Sequence, residues 1–321
     1  MVEPSPQIVT KSELQLKEYW DDFGNIYSEL FEYSTQPMLY SLITSLKVYE
    51  ANKILEESCG GGKSLSLVLS LKKKDCEYWV SDLSENLLSL TSKRMEYIEK
   101  DFVGNLQFWD KSCFEPNVKK SWQEDFPKSN TFLRLLNNES LVGLENQSFD
   151  IVFSNLSLQL VENPEKMLNE AYRVLRKGGK AGFTVWGRKE NSKFFTTVPF
   201  VLRRNGVQLP NERSNFHLGE REKLMNLLSE AGFKNVLCWY QFFAFNFHKE
   251  EDFLRLLEAK GNKKLLEGVP EGKREEIKKE ILEEYMKCVR SHEPVGLEAL
   301  FVIGWKDEGA KKDVVILNEK L

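Results

Sequence analysis

The sequence lacks the apolar runs of a membrane protein and the leader of a secreted one. Its richest apolar stretch, residues 237–247, is interrupted by Gln241 and Asn246, well short of the ~18 apolar residues of a membrane-spanning helix. The first ten residues lack the basic and apolar regions of a signal peptide, and no arginine precedes Arg94, which disfavours an Arg-rich transit peptide. We therefore expect a cytoplasmic protein with no membrane span.

Cysteine and histidine are scarce and scattered. The five cysteines, at positions 59, 76, 113, 238 and 288, include no CxxC pair. The three histidines, at positions 217, 248 and 292, are too far apart for a helical metal-binding pair. This pattern fits reduced thiols and excludes a disulfide scaffold or a zinc site, so no metal is expected.

An excess of basic residues is also missing. Lys and Arg total 45 against 49 Asp and Glu, a net charge of −4, so no nucleic-acid partner is expected. The 321 residues, 41% hydrophobic and 29% charged, suffice for one large or two ordinary globular domains.

From residue 52 onward, segments typical of strands and helices alternate. The predicted strands cover 53–58, 77–81, 131–136, 149–154, 180–186, 236–247 and 300–305, and the predicted helices cover 64–71, 84–99, 165–176, 220–231 and 271–290. Ser84 is a predicted N-cap, and Gly178 and Gly179 are predicted to end the 165–176 helix in a left-handed C-cap. This alternation predicts an α/β fold with a mainly parallel sheet and helices on both faces.

The segments around this pattern define the expected domain organisation. Residues 1–50 are predicted to be a leader and an aromatic-rich helical region, which either packs on the core or forms a lid over a ligand. A single domain is expected over 51–306, with irregular insertions near 101–130 and 187–215 and a helical segment near 249–290. Residues 307–321 form a polar tail.

The most informative segment is the glycine turn ILEESCGGGKS, residues 54–64. Its Gly-Lys-Ser ending suggests a phosphate-binding P-loop, but Glu57 stands where that motif needs its first glycine. A dinucleotide-binding GxGxxG pattern fails as well, because its third glycine would fall on Leu65 or Lys63. Both alternatives are therefore disfavoured.

Two carboxylates offer a third interpretation of this turn. Glu56 closes the first predicted strand and can face an amino group or a sulfonium, whereas Asp82 closes the next strand and can accept hydrogen bonds from both ribose hydroxyls. Each residue alone also fits a structural role, as a surface acid or a turn residue. Together they predict a site for a nucleoside that carries a cationic group and no polyphosphate.

With these residues the sequence resembles the class I S-adenosylmethionine-dependent methyltransferases, in particular their small-molecule, type 11 branch. The resemblance extends from about Trp20 to Trp305. It is carried, in order, by ILEESCGGG (54–62), VSDLSENLL (80–88), NNESLVGLENQSFDIVFSN (137–155), EAYRVLRKGGKAGFTVWG (170–187) and FHLGEREKLMNLLSEAGFKNV (216–236). It implies a Rossmann-like, doubly wound, mainly parallel seven-stranded sheet with an N-terminal helical lid.

The resemblance also implies the residues of the site. S-adenosyl-L-methionine would be the cofactor, held by Tyr27, Glu56, Ser58, Gly60, Gly62, Asp82, Leu83, Asn138, Glu139, Ser154 and Asn155. Tyr33, Gln159 and His217 are candidate substrate-binding residues. Three positions depart from the family pattern: Ser58 replaces a glycine, Asn138 (or Asn137, if the alignment shifts by one) replaces an aspartate, and Gln159 replaces a histidine found in many relatives.

The expected reaction is methyl transfer by in-line displacement, which requires alignment and desolvation and needs a general base only for a protonated acceptor. His217 is the candidate for such a base. The Asn/Asp-Pro-Pro-aromatic motif of enzymes that methylate adenine or glutamine amides is absent after residue 154, which together with the acidic balance disfavours nucleic-acid and amide substrates. The aromatic N-terminal helix and the 187–215 segment are expected to form a pocket for a small, partly apolar acceptor. The alternative is a catalytically inactive methyltransferase-like subunit that serves in binding or assembly.

Overall fold

The structure is a computed structural model that describes residues 12–30, 32–100, 123–209, 213–245, 249–257 and 260–306. The predicted leader, polar tail and most of the 101–130 insertion therefore lie outside the described residues. Helices and strands follow one another as α1 (Glu13–Leu30), α2 (Glu32–Ser45), β1 (Lys53–Glu57), α3 (Leu65–Leu71), β2 (Glu77–Asp82), α4 (Glu85–Lys100), β3 (Gln123–Phe126), β4 (Thr131–Leu135), β5 (Phe149–Asn155), α5 (Pro164–Val174), β6 (Leu175–Trp186), α6 (Lys193–Arg204), α7 (Arg221–Glu230), β7 (Lys234–Ala244), α8 (Glu250–Leu257), α9 (Lys260–Glu267), α10 (Arg274–Arg290) and β8 (Gly296–Trp305).

The strands form a mainly parallel sheet in the order β3-β4-β2-β1-β5-β6-β8-β7. Strands β4, β2, β1, β5 and β6 pair in parallel, with Glu57 opposite both Ser81 and Ser154 and with Asp82 opposite Leu135. The carboxyl ends of these strands therefore meet at one edge of the sheet, where open α/β folds bind their ligands. The predicted α/β, Rossmann-like fold is confirmed.

The described residues contain eight strands, one more than the seven predicted. The additional strand, β3, lies within the segment that was predicted to be an irregular insertion and pairs antiparallel with β4, Glu124 opposite Leu133. Its four residues, QEDF, are too few and too polar to show the alternation that identifies a strand.

Two local predictions are wrong. Helix α5 ends at Val174 and β6 begins at Leu175, whose side chain is fully buried, so burial in the sheet ends the helix before Gly178. Gly178 does adopt a left-handed φ of 76°, but within β6, where its N–H donates to the carbonyl of Lys306 at 2.8 Å. The 187–215 segment is not irregular throughout, because it contains α6.

Helix α6 includes Pro199, which favoured the irregular interpretation. One face of the helix buries four apolar side chains (Phe194, Val198, Val201 and Leu202). Because tertiary burial of an amphipathic face supplies most of a helix's stability, it outweighs the hydrogen bond that a proline removes.

The chain divides into two compact units. The larger unit comprises the described residues within 12–184, 222–239 and 301–306. Its core includes Ile54 and Leu55 of β1, which are fully buried. Helix α5 buries Met167, Leu168, Ala171 and Val174. It begins after the N-cap Asn163, whose side chain accepts a hydrogen bond from the Lys166 amide at 3.0 Å.

The smaller unit comprises the described residues within 185–221 and 240–300. Its helices pack through aromatic side chains: the rings of Phe253 and Tyr285 stack at 4.7 Å between centroids, and the Tyr285 hydroxyl donates to the Phe194 carbonyl at 3.0 Å. The buried Glu298 carboxylate accepts hydrogen bonds from Arg188 and Asn191. Among the described helices of the chain, none is long and apolar enough to cross a membrane.

Candidate active site

The glycine turn connects β1 to α3 through a left-handed backbone. Ser58, Gly60 and Gly62 have φ angles of 56°, 59° and 80°. Glycine adopts this conformation freely, whereas a residue with a side chain is strained there. Ser58 is thus the exception in the turn.

The amides of the turn are bound to acceptors within the chain. Gly60 donates to Oδ2 of Asp82, and Gly61 donates to Oε1 of Glu32, each at 2.9 Å. A phosphate-binding loop needs such amides for its ligand. The structure therefore supports rejecting the P-loop interpretation, since carboxylates already occupy the two amides.

Glu32 and Arg94 clamp the turn from two helices, and sequence reasoning missed both. The Arg94 guanidinium lies 3.3 Å from Oε2 of Glu32 and also donates to the Gly61 carbonyl. Both side chains are buried. Nothing local in the sequence signals this contact, because α2 and α4 meet the turn only in the folded chain.

A cavity lies against the turn at the carboxyl edge of the sheet, within the larger unit. The empty space in it is about 950 Å³, a figure that includes space open to solvent. Five acidic side chains line it against one lysine, Lys63. The acidic residues are Glu13, Glu32, Glu56, Asp82 and Glu139, and the apolar ones include Leu16, Trp20, Leu39, Leu83, Leu87, Leu156, Leu160 and Val161.

Burial makes the charged forms of two of these carboxylates costly. It raises the pKa of Glu56 to about 7, although hydrogen bonds donated by the Ser64 and Tyr78 hydroxyls to Oε2 act in the opposite direction. Burial likewise raises the pKa of Asp82 to about 6, against hydrogen bonds from backbone amides. The nearby Glu32 carboxylate raises both pKa values further. A cationic ligand would relieve this repulsion.

Most predicted cofactor residues come together at this cavity. It is lined by Glu56, Ser58, Gly60, Asp82, Leu83, Asn138, Glu139 and Asn155. Gly62 and Ser154 are not among the residues that line the cavity, but both belong to segments that do. A Cβ on Gly62 would lie 2.9 Å from the Thr91 hydroxyl, and the Ser154 hydroxyl donates to the Glu57 carbonyl at 2.8 Å.

The remaining predicted site residues are placed differently. Tyr27 and Tyr33 belong to α1 and α2, but their side chains lie outside the described part of the structure. Gln159 is buried and donates to the Leu156 carbonyl at 2.8 Å. His217 lies in the smaller unit, where its Nδ1 contacts the Ser214 carbonyl at 2.9 Å. Their roles stay predictions.

Glu139 is engaged in contacts of its own. Its carboxylate accepts hydrogen bonds from the amides of Glu162 and Asn163, and its own amide donates to Oδ1 of Asn137 at 2.9 Å. An adenine contact through that amide would compete with Asn137. The role of Glu139 on the adenine edge therefore stays a prediction as well.

Comparison with known proteins places this geometry in a family. A family model described as "Methyltransferase domain" matches residues 55–183. The malonyl-[acyl-carrier protein] O-methyltransferase of Paenibacillus sp. (strain JDR-2) is 24% identical over 209 residues. The family model and this relative support a class I S-adenosylmethionine-dependent methyltransferase domain in this chain. The match covers 65% of this chain and 65% of that methyltransferase's own length.

Solved structures show the same methyltransferase fold. The [4+2]-cyclase SpnF is 14% identical, with a TM-score of 0.53 over 93% of this chain and 98% of its own. The phosphoethanolamine N-methyltransferase 2 of Haemonchus contortus, in complex with S-adenosyl-L-methionine, is 15% identical, with a TM-score of 0.51 over 91% of this chain and 60% of its own. At such identities the likeness concerns the fold alone.

The cofactor of this domain family is S-adenosyl-L-methionine, and the cavity fits it. The cofactor carries a sulfonium and an ammonium group, and the cavity offers desolvated carboxylates. Among the described residues, no donor contacts Oε1 of Glu56, which leaves this atom for a ligand. The charge and the open acceptor of the site thus match the cofactor.

Proposed function

We propose that the chain transfers a methyl group from S-adenosylmethionine to a small, partly apolar acceptor. The observation that carries the proposal is the cavity at the carboxyl edge of the sheet, where Glu56, Asp82 and the glycine turn stand together. Such a cavity combines acidic side chains, which suit a cationic nucleoside, with apolar side chains.

Asp82 is assigned to the ribose of the cofactor. Its Oδ2 accepts from Gly60 and its Oδ1 from Ser84, each at 2.9 Å. A carboxylate has about four acceptor sites, so each oxygen retains capacity for a ribose hydroxyl. The backbone amides fix the orientation of the carboxylate, and Leu83 lies beside it to pack against the adenine.

Glu56 is assigned to the cationic amino acid part of the cofactor. The Ser64 and Tyr78 hydroxyls donate to Oε2, and Glu56 lines the cavity, so Oε1 is the oxygen assigned to the ligand. Gly60 lacks a Cβ and permits close approach of the ligand to the turn. Binding of a cation here would favour the ionised form of Glu56.

The apolar side chains that line the cavity suit a partly apolar methyl acceptor. Bound S-adenosylmethionine supplies a methyl group on an already activated leaving group, so the chain has to align the acceptor and exclude water. Leu156, Leu160 and Val161 follow β5 and line the cavity near Asn155. Leu156 is held at a φ of 57°, strained for an apolar residue, as is common where a backbone shapes a site.

Calorimetric titration of S-adenosylhomocysteine tests the cofactor site. Wild-type protein should bind it, and Asp82→Ala should weaken binding about 100-fold, since two hydrogen bonds to a charged group are lost. Asp75→Ala, which removes an exposed carboxylate from the turn before β2, is the matched control and should bind as wild type.

Two outcomes would contradict the proposal. Folded wild-type protein without affinity for S-adenosylhomocysteine or S-adenosylmethionine would favour the inactive binding subunit. Binding that Asp82→Ala leaves unchanged would refute the assignment of the ribose. Where binding is found, release of S-adenosylhomocysteine in the presence of phenols, quinols, amines or carboxylic acids identifies the acceptor class.

A further inference from the structure

Helix α1 presents one row of side chains to the cavity. Glu13, Leu16 and Trp20 line it, at the three- and four-residue spacings that place side chains on one face of a helix. The rest of the cavity lining comes from α2, the start of α4 and the carboxyl ends of the strands with the segments that follow them. A ligand in the cavity would therefore contact α1 on one side and the sheet edge on the other.

A neighbouring row of α1 side chains binds the start of α4. Oδ1 of Asp21 accepts a hydrogen bond from the Ser84 hydroxyl at 2.7 Å, and the Asp21 carbonyl accepts one from the Asn86 side chain. Lys17 bridges Oδ2 of Asp21 and Oε1 of Glu85, at 2.9 and 3.1 Å. The Asp21 carboxylate also lies at the N-terminus of α4, where the helix dipole favours a negative charge. We call these five residues the α1 latch.

The latch is bonded directly to the proposed ribose site. The Ser84 amide donates to Oδ1 of Asp82 at 2.9 Å. The Ser84 hydroxyl accepts from the Leu87 amide at 3.2 Å and donates to the Asp21 carboxylate. A single residue of the turn between β2 and α4 thus joins α1 to the carboxylate that is assigned to the ribose.

Apolar burial holds α1 only weakly. Among the α1 residues whose burial is described, 13–24, only Leu16 and Gly24 are buried, whereas Leu14 is 64% exposed. The next helix, α2, buries four apolar side chains (Met38, Leu39, Leu42 and Ile43). Segments with few buried apolar side chains open locally at a low cost in free energy. Helix α1 can therefore separate from the cavity while α2 stays packed.

We propose that α1 is a gate to the cavity and that Asp21 keeps it closed. The inference rests on the proposed function, because the ligand that the gate retains is the cofactor. Opening breaks the hydrogen bonds of the latch and withdraws the cavity-lining side chains of α1, so ligand can enter or leave. A bound ligand contacts those side chains and should in turn favour the closed state.

The rates of ligand exchange test the gate. Asp21→Ala removes the charge-assisted hydrogen bonds of the latch, and Asp21 is not among the residues that line the cavity. A gate that opens more often both admits and releases ligand more often. Stopped-flow binding of S-adenosylhomocysteine should therefore show the association and dissociation rate constants rising together, each about 10-fold, with Kd changed less than about 2-fold. Asp21→Asn keeps an acceptor for Ser84 and should raise both constants less.

Hydrogen exchange measures the opening itself. In ligand-free protein, the α1 amides of Asp21→Ala should exchange about 10-fold faster than those of the wild type, whereas the amides of α10 should be unchanged. S-adenosylhomocysteine should slow exchange in α1 of the wild type. Equal exchange of α1 in the variant and the wild type would overturn the inference.

Asp22→Ala is the matched control. Asp22 carries the same charge on the same helix, is exposed, and has no hydrogen-bond or ionic partner among the described residues. Its replacement should leave both rate constants unchanged. Asp21→Ala protein with faster dissociation alone, or with unchanged rate constants, would overturn the gate while the proposed function stands. Wild-type protein that binds no S-adenosylhomocysteine would overturn both.

Discussion

Replacing Glu57 should stabilise the protein, and increasingly so at higher pH. The side chain is fully buried, and both carboxylate oxygens lack a hydrogen-bond partner among the described residues. Burial, with a contribution from the Glu170 carboxylate, raises the pKa of Glu57 well above its ordinary value. Glu57 faces away from the cavity-lining Glu56 on β1, so its replacement leaves the proposed cofactor contacts in place.

The stabilisation expected on replacing Glu57 has two contributions. A buried neutral polar group without a partner costs about 1–3 kcal/mol. Because the folded-state pKa is raised, stability is fully present below the unfolded pKa of 4.5 and is lost as pH rises toward the folded pKa. At pH 6.5, two units above the unfolded value, this loss reaches about 2.7 kcal/mol if the folded protein still holds the proton.

Two variants separate these parts. Glu57→Gln keeps the shape and an unpaired polar group but cannot ionise, so its advantage over wild type should grow with pH, by about 1.4 kcal/mol per unit as long as folded wild type holds the proton on Glu57. Glu57→Met also removes the unpaired polar group and should be about 1–3 kcal/mol more stable than Glu57→Gln at every pH. Urea unfolding of the three proteins at pH 6, 7 and 8 measures both differences. A pH-independent difference between wild type and Glu57→Gln would refute the reasoning.

Three further predictions concern binding, packing and capping. Since the pKa of Glu56 is about 7, affinity for S-adenosylmethionine should rise from pH 6 to pH 8 in calorimetric titrations, and Glu56→Gln should weaken binding and remove its share of this dependence. Gly296→Ala would bring a Cβ into steric overlap with the Phe243 carbonyl oxygen and should lower the free energy of unfolding, measured in urea, by about 3 kcal/mol. Asn163→Ala should lower it by about 1 kcal/mol through loss of the α5 N-cap, whereas Asn163→Asp should retain stability.

Local sequence patterns predicted the elements that are stabilised by local contacts or that have strongly periodic apolar residues. Ser84 was predicted to begin α4, and its hydroxyl accepts a hydrogen bond from the Leu87 amide at 3.2 Å. The exceptions are elements stabilised by distant contacts. Strand β3 is stabilised by pairing with β4, and its own short, polar sequence does not indicate a strand. Helix α6 is stabilised by burial of its apolar face, whereas Pro199 within it had favoured an irregular segment.

The candidate site was predictable to the same extent. Glu56 and Asp82 follow predicted strands, and parallel pairing brings strand ends together, so their proximity could be inferred from order along the chain. The position of Glu32 at the site could not be inferred in this way, because its contact with Gly61 spans 29 positions and joins a helix to a turn. The cytoplasmic location and the roles of Tyr27, Tyr33 and His217 stay predictions.

The contacts of the glycine turn connect its conformation with the charge of the cavity. Asp82 and Glu32 orient the turn by accepting its amide hydrogens, and the same two carboxylates raise the proton affinity of Glu56. A turn held in this way cannot cradle a phosphate, because its donors are occupied and the nearest charges are negative. It favours a cation instead. The residues that fix the backbone therefore also set the charge of the ligand, which is why a Gly-Lys-Ser ending occurs here without a phosphate site.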